Sequence, residues 1–216
     1  MTFAMGDPRV RRMSKPRLTY FDAPRSRGEE CRLALHLAGV DFEDNRIPGD
    51  AWPSLKPKTP FGSLPVFEVE GKPPVSQSNA ILGHVGRRYG LLPKDEWEAF
   101  RLESLLSACE DLRHAVNKTV GLKDPEEVKR KRVEFVESVL RPWAANMEKQ
   151  VVGPFAGGSE ISVADVKLFV VLGAFKGGVY DHIPTDVLSA FPKLEKLHAN
   201  VKAHPKVVAW YARAQG

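Results

Sequence analysis

The chain has 216 residues, 43% of them hydrophobic, which is long enough for one large domain or two small ones with a real core. Of the formal net charge of +5, a net +4 lies at the start, where Arg9, Arg11, Arg12, Lys15 and Arg17 face only Asp7; the remainder is nearly neutral and shows no basic stripe interleaved with aromatics. No apolar run reaches membrane-spanning length, no signal-peptide core is present, and Cys31 and Cys109 stand too far apart for a CxxC pair or a disulfide framework. These features predict a soluble cytoplasmic protein with no nucleic-acid or membrane partner. Residues 1–15 read as a disordered basic tail, and both cysteines as buried thiols on apolar helix faces.

Leu18 to Phe21 reads as a strand. Cys31, Ala34, Leu35 and Ala38 recur at helical spacing until Gly39, and Asp41 to Arg46 reads as a second strand. After an irregular stretch from Trp52 to Phe61, a strand Val66 to Val69, a turn at Gly71 and a return through Val75 lead into a helix from Asn79 to Tyr89. This order, βαβ followed by ββα, predicts a thioredoxin-like α/β domain with a mixed four-stranded sheet over residues 16–92, closed by Gly90-Leu91-Leu92-Pro93. Everything from Glu96 onward reads as helix, giving an all-α second domain over 96–216.

In that second part, Leu102, Leu105, Leu106, Cys109 and Leu112 form one apolar stripe. Val128, Phe135, Val139 and Trp143 predict a second long helix from about Pro125, and Leu194, Leu197 and Val201 a later one with Pro192 at its start. Ser162-Val163-Ala164-Asp165 has the form of a helix N-terminal cap, with Ile161 placed to staple onto Val166. It is a folding device without a catalytic role. The six histidines show no metal-ligand spacing, and no metal is expected.

The segment most informative about function is GSLPVFEVEGKPPVSQSNAI, Gly62 to Ile81. Pro65 directly precedes a strand, leaves the backbone of Leu64 unpaired and is a candidate cis bond. The free edge there can accept an extended peptide as an added strand. Gln77 and Ser78 then place an amide, a hydroxyl and unpaired backbone N–H groups at a helix start, where a carboxylate binds well. Such a site suits a short peptide with a free carboxylate.

That segment, with LTYFDAPRSRGEECRLALHLAGVDFEDNRI near the start, resembles the glutathione transferases, and specifically their sigma-like, tyrosine-type members, over nearly the whole chain from Arg17. The resemblance implies that glutathione is the co-substrate and that Tyr20, at the end of the first strand, donates a hydrogen bond to its thiolate, with Arg27 adding positive potential. It implies that Trp52 and Lys56 hold the glycyl carboxylate, that Leu64 pairs with the cysteinyl unit in a geometry held by Pro65, and that Gln77 and Ser78 bind the γ-glutamyl end. Asp111 would reach across a homodimer interface to the ammonium group of the partner's glutathione. The loop from Asp22 to Ser26 is one residue longer than the tyrosine-type pattern, which makes Ser26, at the start of the first helix, a rival hydroxyl. Ser63 stands where relatives often carry a longer side chain.

The acceptor implied is a hydrophobic electrophile, with His114, Val116 and Asn117 as candidates to face it. Isomerisation and peroxide reduction are alternative reactions of the same site. A further alternative is a non-catalytic protein that keeps the fold, as lens crystallins and some translation-factor subunits do.

Overall fold

A computed structural model of the chain describes residues 15–213. The predicted basic tail thus lies outside the described residues except for Lys15, whose ammonium pairs with Asp41 at 2.7 Å. Strand β1 (Arg17–Phe21) leads into helix α1 (Arg27–Leu37), which returns as β2 (Glu43–Ile47) parallel to β1. The second strand starts later than predicted. Val40 N–H is still bonded to the helix at Leu35, and the ladder opens only with Glu43 N–H donating to Pro16. After the one-turn helix α2 (Trp52–Leu55), β3 (Val66–Glu68) runs antiparallel to β1 and β4 (Val75–Ser76) antiparallel to β3. The sheet order is β2-β1-β3-β4. Pro73 and Pro74 offer no N–H to a ladder, which keeps the edge strand β4 short.

Helix α3 (Ser78–Tyr89) packs on α1 and closes the α/β part. The helical part follows: α4 (Glu96–Asn117), α5 (Pro125–Phe135), α6 (Arg141–Gln150), α7 (Val163–Lys176), α8 (Pro192–Ala203) and α9 (Pro205–Arg213). The predicted long helix from Pro125 is in fact α5 and α6 joined by a π turn over Val136–Leu140. Pro142 cannot donate a backbone hydrogen bond, so the regular ladder is interrupted there and the widened turn precedes it.

Helix α7 is the central post. It is apolar nearly all round and packs against α1, α3, α4 and α8. Its start is the predicted cap: Ser162 Oγ accepts from Asp165 N–H at 3.4 Å while Asp165 Oδ2 accepts from Ser162 N–H at 2.8 Å. The other carboxylate oxygen accepts from Ala156 N–H at 2.7 Å, so this side chain also fixes the loop before α7. Cys31 on α1 and Cys109 on α4 are both fully buried in the core. Replacing Asp165 with Ala strips two buried N–H groups of their acceptor and should lower the unfolding free energy by about 2–4 kcal/mol in urea titrations.

Candidate active site

One end of the sheet gathers most of the residues singled out in the sequence. The parallel strands β1 and β2 both finish there, β3 begins there and β4 ends there. Continuing the β1–β3 register beyond Thr19↔Val66 sets Pro65 and Leu64 beside Tyr20 and Phe21. The Leu64–Pro65 peptide is cis, and Leu64 lies outside the ladder, which begins at Val66. The N-termini of α1 and α3 lie at the same end, and both ends favour negative charge. Gln77, just before α3, has φ +79°, a left-handed conformation uncommon for a side-chain-bearing residue, while Ser78 is buried in the first turn. Trp52 joins the group through Phe21, their ring centroids 5.9 Å apart. Lys56 is exposed one turn further on.

The Tyr20 ring lies against the backbone of Gly28; a Cβ on that residue would sit 2.3 Å from the ring, so only glycine permits the approach. The buried Arg32 guanidinium stands 6.0 Å from the ring centroid and is held by Asp44 at 2.7 Å and the Phe21 carbonyl at 3.0 Å. Burial raises the Tyr20 hydroxyl above its ordinary value, and Arg27 and Arg113 draw it only partly back. The phenol is thus a neutral donor at physiological pH, and it has no hydrogen-bond partner among the described residues. Ser26, the rival hydroxyl, is committed elsewhere: it donates to Ala23 O at 2.6 Å and accepts from Glu29 N–H at 3.3 Å as the cap of α1.

Behind Tyr20 lies a cluster of charges that sequence reading missed. Lys167 of α7 and Glu30 of α1 are both 0% exposed. The Lys167 ammonium donates to Glu30 Oε1 at 2.9 Å, Glu110 Oε1 at 2.6 Å and Asn79 Oδ1 at 2.6 Å, joining α1, α3, α4 and α7. Arg113 donates to Glu30 Oε2 at 2.9 Å and to Glu110 Oε1 at 3.0 Å. Glu110 Oε2 accepts from Arg27 Nε and Nη2 at 2.9 and 2.7 Å, so this network orients the arginine whose charge acts on Tyr20. Burial alone would raise the Glu110 carboxyl, but Lys167, Arg113 and Arg27 hold it down at about 2. The available signal was Lys167 itself, a lone cation inside the otherwise apolar run Val166 to Phe175.

Asp111, beside Glu110, points outward; it is exposed and without a hydrogen bond or ion pair among the described residues. Val116 does not face a pocket as expected. It is fully buried in the core, because α4 turns that face toward its neighbours, while His114 and Asn117 are exposed. No group of three or more His, Cys, Asp or Glu side chains among the described residues could hold a metal ion.

Residues 16–87 match the sequence model of the glutathione S-transferase N-terminal domain, and residues 110–214 that of the C-terminal domain. The chain is 32% identical over 206 residues to glutathione S-transferase 1 of Ascaris suum, covering 93% of this chain and 97% of that protein. It is 28% identical over 200 residues to S-crystallin SL11 of Nototodarus sloanii, covering 89% and 93%. Its fold is similar to the solved structure of prostaglandin synthase D of Nilaparvata lugens, with a TM-score of 0.82, 27% identity and coverage of 93% and 98%. The chain belongs to the glutathione S-transferase family and is an enzyme of that class.

Two outcomes follow from the buried charges. Lys167→Met removes one of the two cations that Glu30 and Glu110 share, leaving only Arg113 between them, and should destabilise by about 3–5 kcal/mol, part of which Glu30→Gln in the same chain should restore; urea unfolding of the four proteins reads this coupling. Because folding lowers the Glu110 carboxyl from 4.5 to about 2, the folded chain holds this proton less tightly than the unfolded one. Its contribution to stability is complete above about pH 4.5 and is lost as pH falls toward 2. Unfolding free energy measured across that window should fall with pH, less steeply in Glu110→Gln.

Proposed function

We propose that the chain is a tyrosine-type glutathione transferase in which Tyr20 stabilises the glutathione thiolate for attack on an electrophilic carbon of an apolar acceptor. The observation that carries this reading is a phenol kept protonated by burial, without a partner among the described residues, at the sheet end where the cis Leu64–Pro65 entrance and two helix N-termini meet. A thiol with an ordinary pKa near 8.5 needs about 1.4–2.7 kcal/mol of preferential anion stabilisation to ionise at neutral pH, within reach of one hydrogen bond and a nearby cation such as Arg27. The thiol proton leaves to solvent, sulfur bonds to the acceptor carbon, and the acceptor's leaving group departs with its electron pair. Tyr20 remains protonated throughout.

In this reading residues 16–92 bind glutathione and residues 96–216 carry the acceptor site. Leu64 offers its backbone to the cysteinyl unit, Pro65 holds that geometry, Trp52 and Lys56 take the glycyl carboxylate, and Gln77 and Ser78 take the γ-glutamyl end. The protein works as a cytoplasmic homodimer, with Asp111 serving the partner's glutathione. Exposed Phe61, Trp97 and Phe100 support that assembly, since aromatic surface of this kind is usually covered by a partner. Likeness to a prostaglandin synthase motivates glutathione-dependent isomerisation as a second reaction of the same site.

Calorimetric titration with glutathione, paired with a chlorodinitrobenzene conjugation assay, tests the proposal. Binding with turnover is expected. Binding without turnover shifts the reading to isomerisation, to be checked by product analysis with an endoperoxide, or to peroxide reduction, checked with an organic hydroperoxide; no binding favours a structural protein such as a crystallin. Tyr20→Phe should lower kcat about 10²-fold with little change in glutathione affinity, whereas Ser26→Ala should leave kcat within about threefold. The reverse pattern would transfer the role to Ser26.

A further inference from the structure

A groove of about 830 Å³ runs along α3 and is bordered on its other side by the β3–β4 hairpin. Ala80, His84 and Arg88 follow one another at spacings of four and so turn one helical face to it, while Phe67, Val69 and Val75 come from the hairpin. Apolar surface is left in water here: Val75 is 47% exposed, and Tyr89, also in the wall, 38%. The edge strand β4, with only two residues, shields little of it. A smaller cavity of about 280 Å³ adjoins the groove and shares Lys15, Val69, Glu70 and Lys72 with it. Glu43 and Glu68 add acidic side chains to the smaller cavity, at the end of the sheet where β1 begins.

Lys15, the first described residue, lies in the wall of both cavities, so the chain enters the fold at the rim of the groove. The fourteen residues before it read MTFAMGDPRVRRMS. From Lys15 they can reach at most about 45–50 Å. Helix α3, with 12 residues, is only about 18 Å long, so the reach exceeds the length of the groove wall. Their chemistry changes in the same order as the walls. Arg9, Arg11 and Arg12 stand nearest Lys15, where the acidic cavity lies, and Met1, Phe3, Ala4 and Met5 stand furthest away, where an apolar groove follows. Arg17 takes up Glu43 at 3.0 Å and Lys15 takes up Asp41 at 2.7 Å, whereas Glu68 is in no ion pair among the described residues.

We propose that this groove is the docking surface for the chain's own first fourteen residues, with the apolar stretch Met1 to Met5 against Val75 and Tyr89 and the arginines beside Glu68. Docking in this way covers the exposed side chains of the hairpin and ties the start of the chain to α3. The proposal stands apart from the transferase reading, for none of Tyr20, Trp52, Lys56, Leu64, Gln77 or Ser78 lines either cavity.

The test is hydrogen exchange read by mass spectrometry over β3, β4 and α3, in the full chain and in a variant that starts at Met13. Loss of the first twelve residues should speed exchange in the hairpin and in α3 about tenfold, with α7 unchanged. A synthetic peptide of residues 1–14 added to the shortened chain should restore the protection, less well as salt is added. Val75→Asp should bring exchange in the full chain up to that of the shortened one. If Val75→Asp also loosens the hairpin in the shortened chain, Glu68→Lys decides in its place: it should lose part of the protection, and Arg11→Glu with Arg12→Glu in the same chain should recover it. Equal exchange in the full and shortened chains would overturn the proposal. So would protection that disappears on dilution, which would give the groove to a second copy of the chain.

Discussion

The ammonium of Lys167 is the point on which the two parts of the chain meet. It is sealed from water and satisfied by one carboxylate from α1, one from α4 and an amide from α3. A buried charge is tolerated only when its partners are in place, so the helices that supply them have little freedom to slide relative to α7. Hydrophobic packing along the same seam is adaptable in register; three charge-assisted hydrogen bonds to one nitrogen are not. The seam is also joined by Val163 N–H donating to Leu91 O at 3.0 Å and Trp210 Nε1 donating to Glu29 at 2.7 Å, but neither gathers four helices.

This arrangement ties the stability of the interface to the electrostatics of the site. Glu110 uses one oxygen for Lys167 and Arg113 and the other for Arg27, so the arginine whose charge acts most on the candidate phenol is aimed by a carboxylate that is itself anchored in the core. Three cations and two carboxylates leave a net positive charge behind Tyr20, in surroundings where screening is weak. The sheet end thus combines two helix N-termini, a phenol without a partner among the described residues and a positive field fixed by the buried network.

Local chemistry was legible from the sequence. Pro65 before a strand pointed to the cis bond and the unpaired Leu64, Ser162 and Asp165 marked the start of the helix that became the central post, and the strand–helix order implied the mixed sheet. The parts that resisted reading depend on distant partners or on missing donors. Glu30 and Lys167 lie 137 positions apart, so neither residue points to its partner. Val116 has the spacing of a helix face, but which face turns inward was set by packing. The apolar spacing from Val128 to Trp143 suggested one continuous helix, but Pro142 within it has no N–H to donate, and a π turn precedes it.

A chain that handles a reactive sulfur must also manage its own. Cys31 and Cys109 are fully enclosed, and burial pushes the Cys109 thiol up to about 12 and the Cys31 thiol well above its ordinary value. Neither is ionised at neutral pH, and neither can be reached by a molecule in solution. Electrophiles in solution would find neither thiol of the chain within reach. Alkylation of the chain's own thiols would thus have to wait for the fold to open.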